Sequence, residues 1–187
     1  LVLNVGGSLS KRTAEGFYQF GENFKIPTKF FLNNAANLLA PRETPQATKK
    51  VNSAYASASF AYQDFLYVDL TSRNDWSSTL GEENRSYMYN SASVSAILNS
   101  FIDPEQNLFN LLKIRAGYAQ VGNDTDPYQL SQTFDVPGQG YFGLTTLSAP
   151  SIKLNPDLKP EQVTSVEFGI EGSMLGNRLN FDISVYD

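Results

Sequence analysis

The sequence predicts an all-β fold, an antiparallel sheet of about seven strands with the pattern of a transmembrane β-barrel. Three observations predict it. Aromatics make up 13% of the 187 residues, with 10 Tyr and 13 Phe, a composition that suits sheet better than helix. Apolar and polar residues alternate with period two, and several of these runs approach ten residues, longer than the five or six usual in soluble sheets. The links between the runs alternate between longer and shorter, as the loops and turns of outer-membrane barrels do.

Taken in order, the opening residues offer Leu1, Leu3, Val5 and Leu9 on one parity. Residues 11–50 read as a long, irregular link. Val51 to Tyr62 carries Ala54, Ala56, Ala58, Phe60 and Tyr62 on its apolar side, and 63–65 is a short link. The clearest strand runs from Leu66 to Asp75: Leu66, Val68 and Leu70 share one face, and Tyr67, Asp69, Thr71, Arg73 and Asp75 share the other. After the link 76–86, Met88, Ala92, Val94, Ala96 and Leu98 oppose Tyr89, Ser91, Ser93 and Ser95. After 99–110, Leu112, Ile114, Ala116 and Tyr118 oppose Lys113 and Arg115. The link 122–160 precedes two last strands. In the first, Val166, Phe168 and Ile170 oppose Ser165, Glu167 and Glu171; beyond 173–178, Leu179, Phe181, Ile183 and Val185 oppose Asn180, Asp182 and Ser184. Successive antiparallel strands place 11–50, 76–86 and 122–160 at one end, which predicts external loops there.

Composition also excludes functions. Net charge is −5, from 19 acidic and 14 basic residues, with no run of Lys or Arg, so nucleic acid is not a partner. The absence of Cys removes disulfides and thiol chemistry, and the absence of His removes the usual general base and commonest metal ligand. No cofactor is called for. No segment approaches the roughly 18 consecutive apolar residues of a spanning helix. The chain opens directly on the alternating "LVLNV", without a signal-peptide pattern.

The single tryptophan, Trp76 in "SRNDWSSTL", continues the parity of Leu66, Val68 and Leu70. At a rise near 3.4 Å and a tilt near 45°, it stands roughly 24 Å above Leu66, about the height of a barrel's apolar band. There an indole lies among acyl chains while its N–H reaches water or a headgroup. Tyr118 joins it at that interface, and Phe60 and Tyr62 mark the opposite one. Ser72 and Asn74 share this outward parity and are poorly matched to hydrocarbon.

The segments "VNSAYASASFAYQDFLYVDLTSRNDWSSTL", "LLKIRAGYAQVGNDTDPY", "NPDLKPEQVTSVEFGIEG" and "NRLNFDISVYD" resemble, in order and spacing, the C-terminal half of the barrel in the SusC/RagA-like TonB-dependent outer-membrane transporters of Bacteroidetes-type bacteria. "GENFKIPTKFFLNNAAN" is similar to an external loop of that family, and Asn90 stands where many relatives have proline. The resemblance implies a barrel of about 22 strands with a plugged lumen, of which this chain is a part. It implies import of a glycan or peptide across the outer membrane, a SusD-like lipoprotein lid, and coupling to TonB through plug and N-terminal regions absent from this sequence.

Within such a barrel, Asp69, Arg73, Asp75, Lys113, Arg115, Glu167, Glu171 and Asp182 are lumen-facing charges that pair across strands. Loop aromatics Phe17, Tyr18, Phe20, Tyr128, Phe134, Tyr141 and Phe142 are the substrate-contact candidates, able to stack on sugars or accept peptide side chains. "GNDTD" (122–126) offers oxygen ligands but lacks a full Ca²⁺ series and reads as a strand-ending turn. "NPDLKPE" reads as a stiff loop re-entry. "VGG" at 5–7 and "GQG" at 138–140 lack the context of phosphate loops. The acidic pair Glu82–Glu83 sits in a polar turn, no nucleophile elbow is present, and the expectation is that the protein is not an enzyme. The alternative from a different class is a soluble all-β surface binding or adhesion domain, in which Val68, Leu70, Val94, Phe181 and Ile183 would be buried in protein.

Overall fold

The structure is a computed structural model and describes residues 1–103, 105, 108–136 and 141–187, with the side chains of Pro45, Ser100 and Tyr141 set aside. "GQG" at 138–140 lies outside the described residues. The main element is one seven-stranded antiparallel sheet in the order β1-β4-β5-β6-β7-β8-β9. Its strands are β1 (Val2–Tyr18), β4 (Arg42–Tyr62), β5 (Leu66–Ser77), β6 (Ser86–Ile97), β7 (Phe109–Asn123), β8 (Glu161–Met174) and β9 (Leu179–Tyr186). The strands β2 (Gly21–Phe24) and β3 (Ala35–Leu38) form a separate small hairpin at the tip of the β1–β4 connection. Apart from that excursion, each strand pairs with the next in sequence.

The predicted strands are present, and the pairing goes further than expected in one place. Residues 11–18 and 42–50, read from sequence as irregular link, continue the β1–β4 ladder from Lys11↔Lys50 to Tyr18↔Arg42, with one irregularity between Ala14 and Gly16. β4 is 21 residues long as a result. The reason is chemical: this part of the hairpin is polar on both sides, so it carries ladder hydrogen bonds without an alternating pattern.

The opposite end turns tightly. Gln63 (φ 47°) and Asp64 (φ 56°) both take left-handed backbone between β4 and β5. Leu175, Gly176 and Asn177 do the same between β8 and β9. The link from β6 to β7 holds a one-turn helix, α1 (Asn99–Ile102), and Asp103 accepts the N–H groups of Leu108 (2.6 Å) and Phe109 (2.8 Å) to close it. Phe101 packs edge-on against Phe65 (5.3 Å between centroids), which packs on Tyr62 (5.7 Å), so this end carries an aromatic cluster.

A conventional core is missing. Among the described residues the buried apolar side chains are Ala35, Leu80 and Leu112, whereas Leu70 is 50% exposed, Val94 40% and Ile183 59%. Among the described residues no second protein layer covers the apolar side. That is the arrangement of a wall, and it removes the packing on which a sandwich depends.

Candidate functional site

The registers assemble the alternating strands into a two-faced wall. One transverse row of the apolar face runs Phe60, Val68, Val94, Ala116, Phe168, Val185 across six strands. The row beneath it runs Tyr62, Leu66, Ala96, Ile114, Ile170, Ile183. The apolar band is oblique to these rows. On β9 it continues below Ile183 to Leu179, while on β4 it continues above Phe60 to Ala54. Averaged over both edges it slips about one residue per strand; with a ~3.4 Å rise and ~4.8 Å strand spacing, that is a tilt of about 35°, the lower end of the range for transmembrane barrels. A flat membrane slab crossing tilted strands produces this slope.

The four predicted interface aromatics lie on that face at its margins. Trp76 is 41% exposed and Tyr118 40%, and both continue the apolar parity upward; Phe60 and Tyr62 stand at the lower margin. At a 35° tilt Trp76 lies about 28 Å above Leu66, at the upper rim of the band. Ser72 and Asn74 share its face, opposite Asn90 and Met88, and the Asn74 amide donates to the Ser86 hydroxyl at 3.1 Å. Asn90 continues a regular ladder with Ser72, so the departure from proline leaves the strand undisturbed.

All eight predicted lumen charges project from the opposite face, and most are paired there. Arg115 on β7 bonds Asp182 (2.8 Å) and the Ser184 hydroxyl (2.6 Å) on β9, reaching over Gly169 on the intervening β8, and lies 3.5 Å from Glu167. A Cβ at Gly169 would sit 2.6 Å from the Arg115 Nε, so glycine there makes room for the guanidinium stem. Lys113 pairs with Glu171 at 3.6 Å, and Asp69 accepts from Ser59 at 2.6 Å.

Higher on this face the sheet builds a denser group. Arg73 donates to Asp75 (2.8 Å) and Ser53 (2.9 Å), and Asp75, only 5% exposed, also accepts the Tyr89 hydroxyl at 2.7 Å. Tyr55, Arg73 and Tyr89 lie directly opposite one another on β4, β5 and β6. Tyr87 stacks on Tyr89 (6.1 Å, 24°) over Gly122, whose missing Cβ would fall 2.8 Å from the Tyr87 ring. The result is an aromatic platform with a fixed cation and carboxylate beside it, the equipment for binding an amphipathic oligomer. Sequence reading did not single out Tyr55, Tyr87 and Tyr89 as contacts; the available signal was three tyrosines on the polar parity of the two strands that flank β5.

Above the platform Asp124, within "GNDTD", accepts from Lys49, Ser77 and Thr79. Its side chain is 6% exposed. The motif therefore acts as a junction between β4, the β5 end and the segment after β7, as expected for a turn; no group of three or more metal-ligating residues occurs among the described residues. "VGG" lies inside β1. "NPDLKPE" is docked on the β5–β6 turn, where Asn84 donates to the Asp157 carbonyl at 3.3 Å, and Glu82 in that turn pairs with Arg85 at 3.7 Å.

The loop aromatics are not gathered into one site. Tyr18 and Phe20 pack edge-on at 5.4 Å, and Phe17 is 77% exposed at the end of β1. The Tyr128 hydroxyl donates to the Gln46 carbonyl at 3.3 Å, which lays that residue against β4. Phe134 and Phe142 are exposed, and the side chain of Tyr141 lies outside the described residues.

An open, tilted, two-faced antiparallel wall with a paired polar face defines the class: a segment of an outer-membrane barrel. The family described as TonB dependent receptor-like, beta-barrel matches residues 2–187, and the chain belongs to it. Two curated relatives from Formosa agariphila are TonB-dependent receptor P26, 30% identical over 73% of this chain, and TonB-dependent receptor P39, 30% identical over 76%. The chain spans 14% of the length of each, so it matches as a partial barrel. Among solved structures it superposes on the RagAB peptide transporter with a TM-score of 0.70 at 21% identity, covering 96% of this chain and 21% of that one. It also superposes on the RagAB peptide importer in the 'open-open' state with a TM-score of 0.69 at 20% identity, covering 98% and 23%. Family and fold thus agree on the β-barrel of a TonB-dependent receptor.

Proposed function

We propose that this chain is a wall segment of a TonB-dependent importer of oligomeric nutrients, glycans or peptides, with its apolar face in lipid and its polar face lining the lumen. The observation that carries the reading is the oblique apolar band, which no protein layer covers and which has the slope of a membrane crossing tilted strands. The ends bearing the 11–50, 76–86 and 122–160 links face the outside, where a SusD-like lipoprotein lid closes over substrate. The short-turn end faces the periplasm, and TonB acts through N-terminal regions beyond this sequence. The substrate contacts are the loop aromatics together with the Tyr55–Arg73–Tyr89 platform.

Orientation is tested by cysteine labelling, since this chain contains no Cys. In intact cells, Tyr128→Cys in the full-length protein is expected to react with a membrane-impermeant maleimide, and Asp64→Cys only after the outer membrane is permeabilised. The reverse pattern overturns the reading. Substrate class is tested by uptake of oligosaccharide and peptide panels by cells lacking the protein; loss of neither class overturns the importer assignment.

A further inference from the structure

Two lysines meet on the lipid side of the wall. Lys11 on β1 and Lys50 on β4 are directly opposed in register, both are exposed, and both share the face of Leu9 and Asn52, the pair one row below. Asn52 in turn pairs with Trp76, and with the slope of the band the lysines stand at the level of the tryptophan rim. Like charges placed directly opposite each other destabilise a sheet unless something compensates them. Neither lysine has an ion-pair partner among the described residues, whereas the adjacent Lys49, on the polar face, is paired with Asp124. The backbone beneath them is fixed: Lys50 N–H donates to the Ser78 hydroxyl and its carbonyl accepts the Ser78 N–H, both at 2.9 Å.

We propose that Lys11 and Lys50 form a binding site for a phosphate-bearing lipid headgroup in the outer leaflet. The height is that of the headgroups, since the apolar band ends at the Trp76 rim and the extended β1–β4 hairpin continues into water above. Two ammonium groups on adjacent strands suit a phosphate, which supplies the missing negative charge, while its acyl chains run down the wall past Leu9 and Trp76. The inference rests on the orientation proposed above.

The test uses the full-length protein purified in detergent, with diphosphorylated lipid A as probe and bound lipid counted by native mass spectrometry. Each lysine is expected to contribute about fivefold in affinity, so K11Q/K50Q weakens binding about twenty-five-fold. K11R/K50R, which keeps both charges, retains it and controls for folding, as does unchanged heat-modifiable migration of the barrel. Lipid A stripped of its phosphates is expected to bind the wild type no better than it binds the double variant. Equal binding of phosphorylated lipid by wild type and K11Q/K50Q overturns the proposal, as does displacement of bound lipid A by millimolar inorganic phosphate, which would assign the site to the free anion. Failure of the wild type to insert into lipid vesicles would instead strike the orientation reading beneath it.

Discussion

Asp124 and Lys49 are 75 residues apart in sequence, and their side chains form an ion pair at the upper end of the polar face. The carboxylate also accepts the hydroxyls of Ser77 and Thr79, which are 1% and 3% exposed. One side chain thereby holds the segment after β7 against the β4–β5 hairpin. Asp124→Ala removes the carboxylate, leaving the two buried hydroxyls only their bond to each other (2.9 Å) and the half-buried ammonium only the Thr125 carbonyl (3.4 Å), an expected cost of roughly 1–3 kcal/mol. Limited proteolysis of the full-length protein is expected to show faster cleavage within 125–136. A double-mutant cycle with Lys49→Met should return a coupling of about 1 kcal/mol or more; additivity would mean the pair is not formed.

The face assignment is tested at two neighbouring residues of β6. Val94 lies near the middle of the apolar band, and Ser93, opposite Gly117, projects from the polar side. Val94→Arg is expected to oppose membrane assembly by about 2–4 kcal/mol, with Ser93→Arg far milder. Folding titrations into lipid vesicles report the difference, and equal tolerance of both would contradict the parity.

Gly169 is required by the side chain that crosses it. Gly169→Val drives a branched Cβ into the Arg115 stem and separates the guanidinium from Asp182 and Ser184, which is expected to lower the unfolding midpoint. In an Arg115→Ser background the same substitution should cost much less. Unfolding midpoints of the four proteins decide it.

Trp76 offers an optical readout. The difference in fluorescence between the full-length protein and its Trp76→Phe variant isolates this indole. Lipids brominated near the headgroup are expected to quench it more strongly than lipids brominated at the acyl-chain ends, because the ring sits at the rim of the band. Stronger quenching from the chain ends would place it at mid-bilayer and shift the whole wall.

How much of this was legible in the sequence follows from what surrounds each strand. Leu66 to Leu70 and Leu112 to Tyr118 alternate cleanly because, in the proposed orientation, one side meets lipid and the other a hydrated interior, and period-two patterning records that difference. Residues 11–18 and 42–50 are equally β-structured, yet both their faces meet water, so nothing in their composition alternates. The place of Trp76 on the apolar face above Leu70 was readable by counting along one strand. The Asp124–Lys49 pair was not, because a contact made by strand curvature across 75 residues leaves no local trace. Tyr55, Arg73 and Tyr89 become neighbours only once two registers are fixed, which periodicity alone does not supply.

The order of strands in the sheet carries a kinetic implication. Each wall strand except the first lies beside its predecessor in sequence, and the long β1–β4 ladder is itself a hairpin with a smaller hairpin at its tip. Every new strand can therefore zip onto an edge already built, closing a short stretch of chain each time, with no distant partner to search for. Such a chain can be added to a growing wall two strands at a time, and a hairpin gained or lost by duplication or deletion would change the girth of the vessel while leaving the slope of its staves untouched.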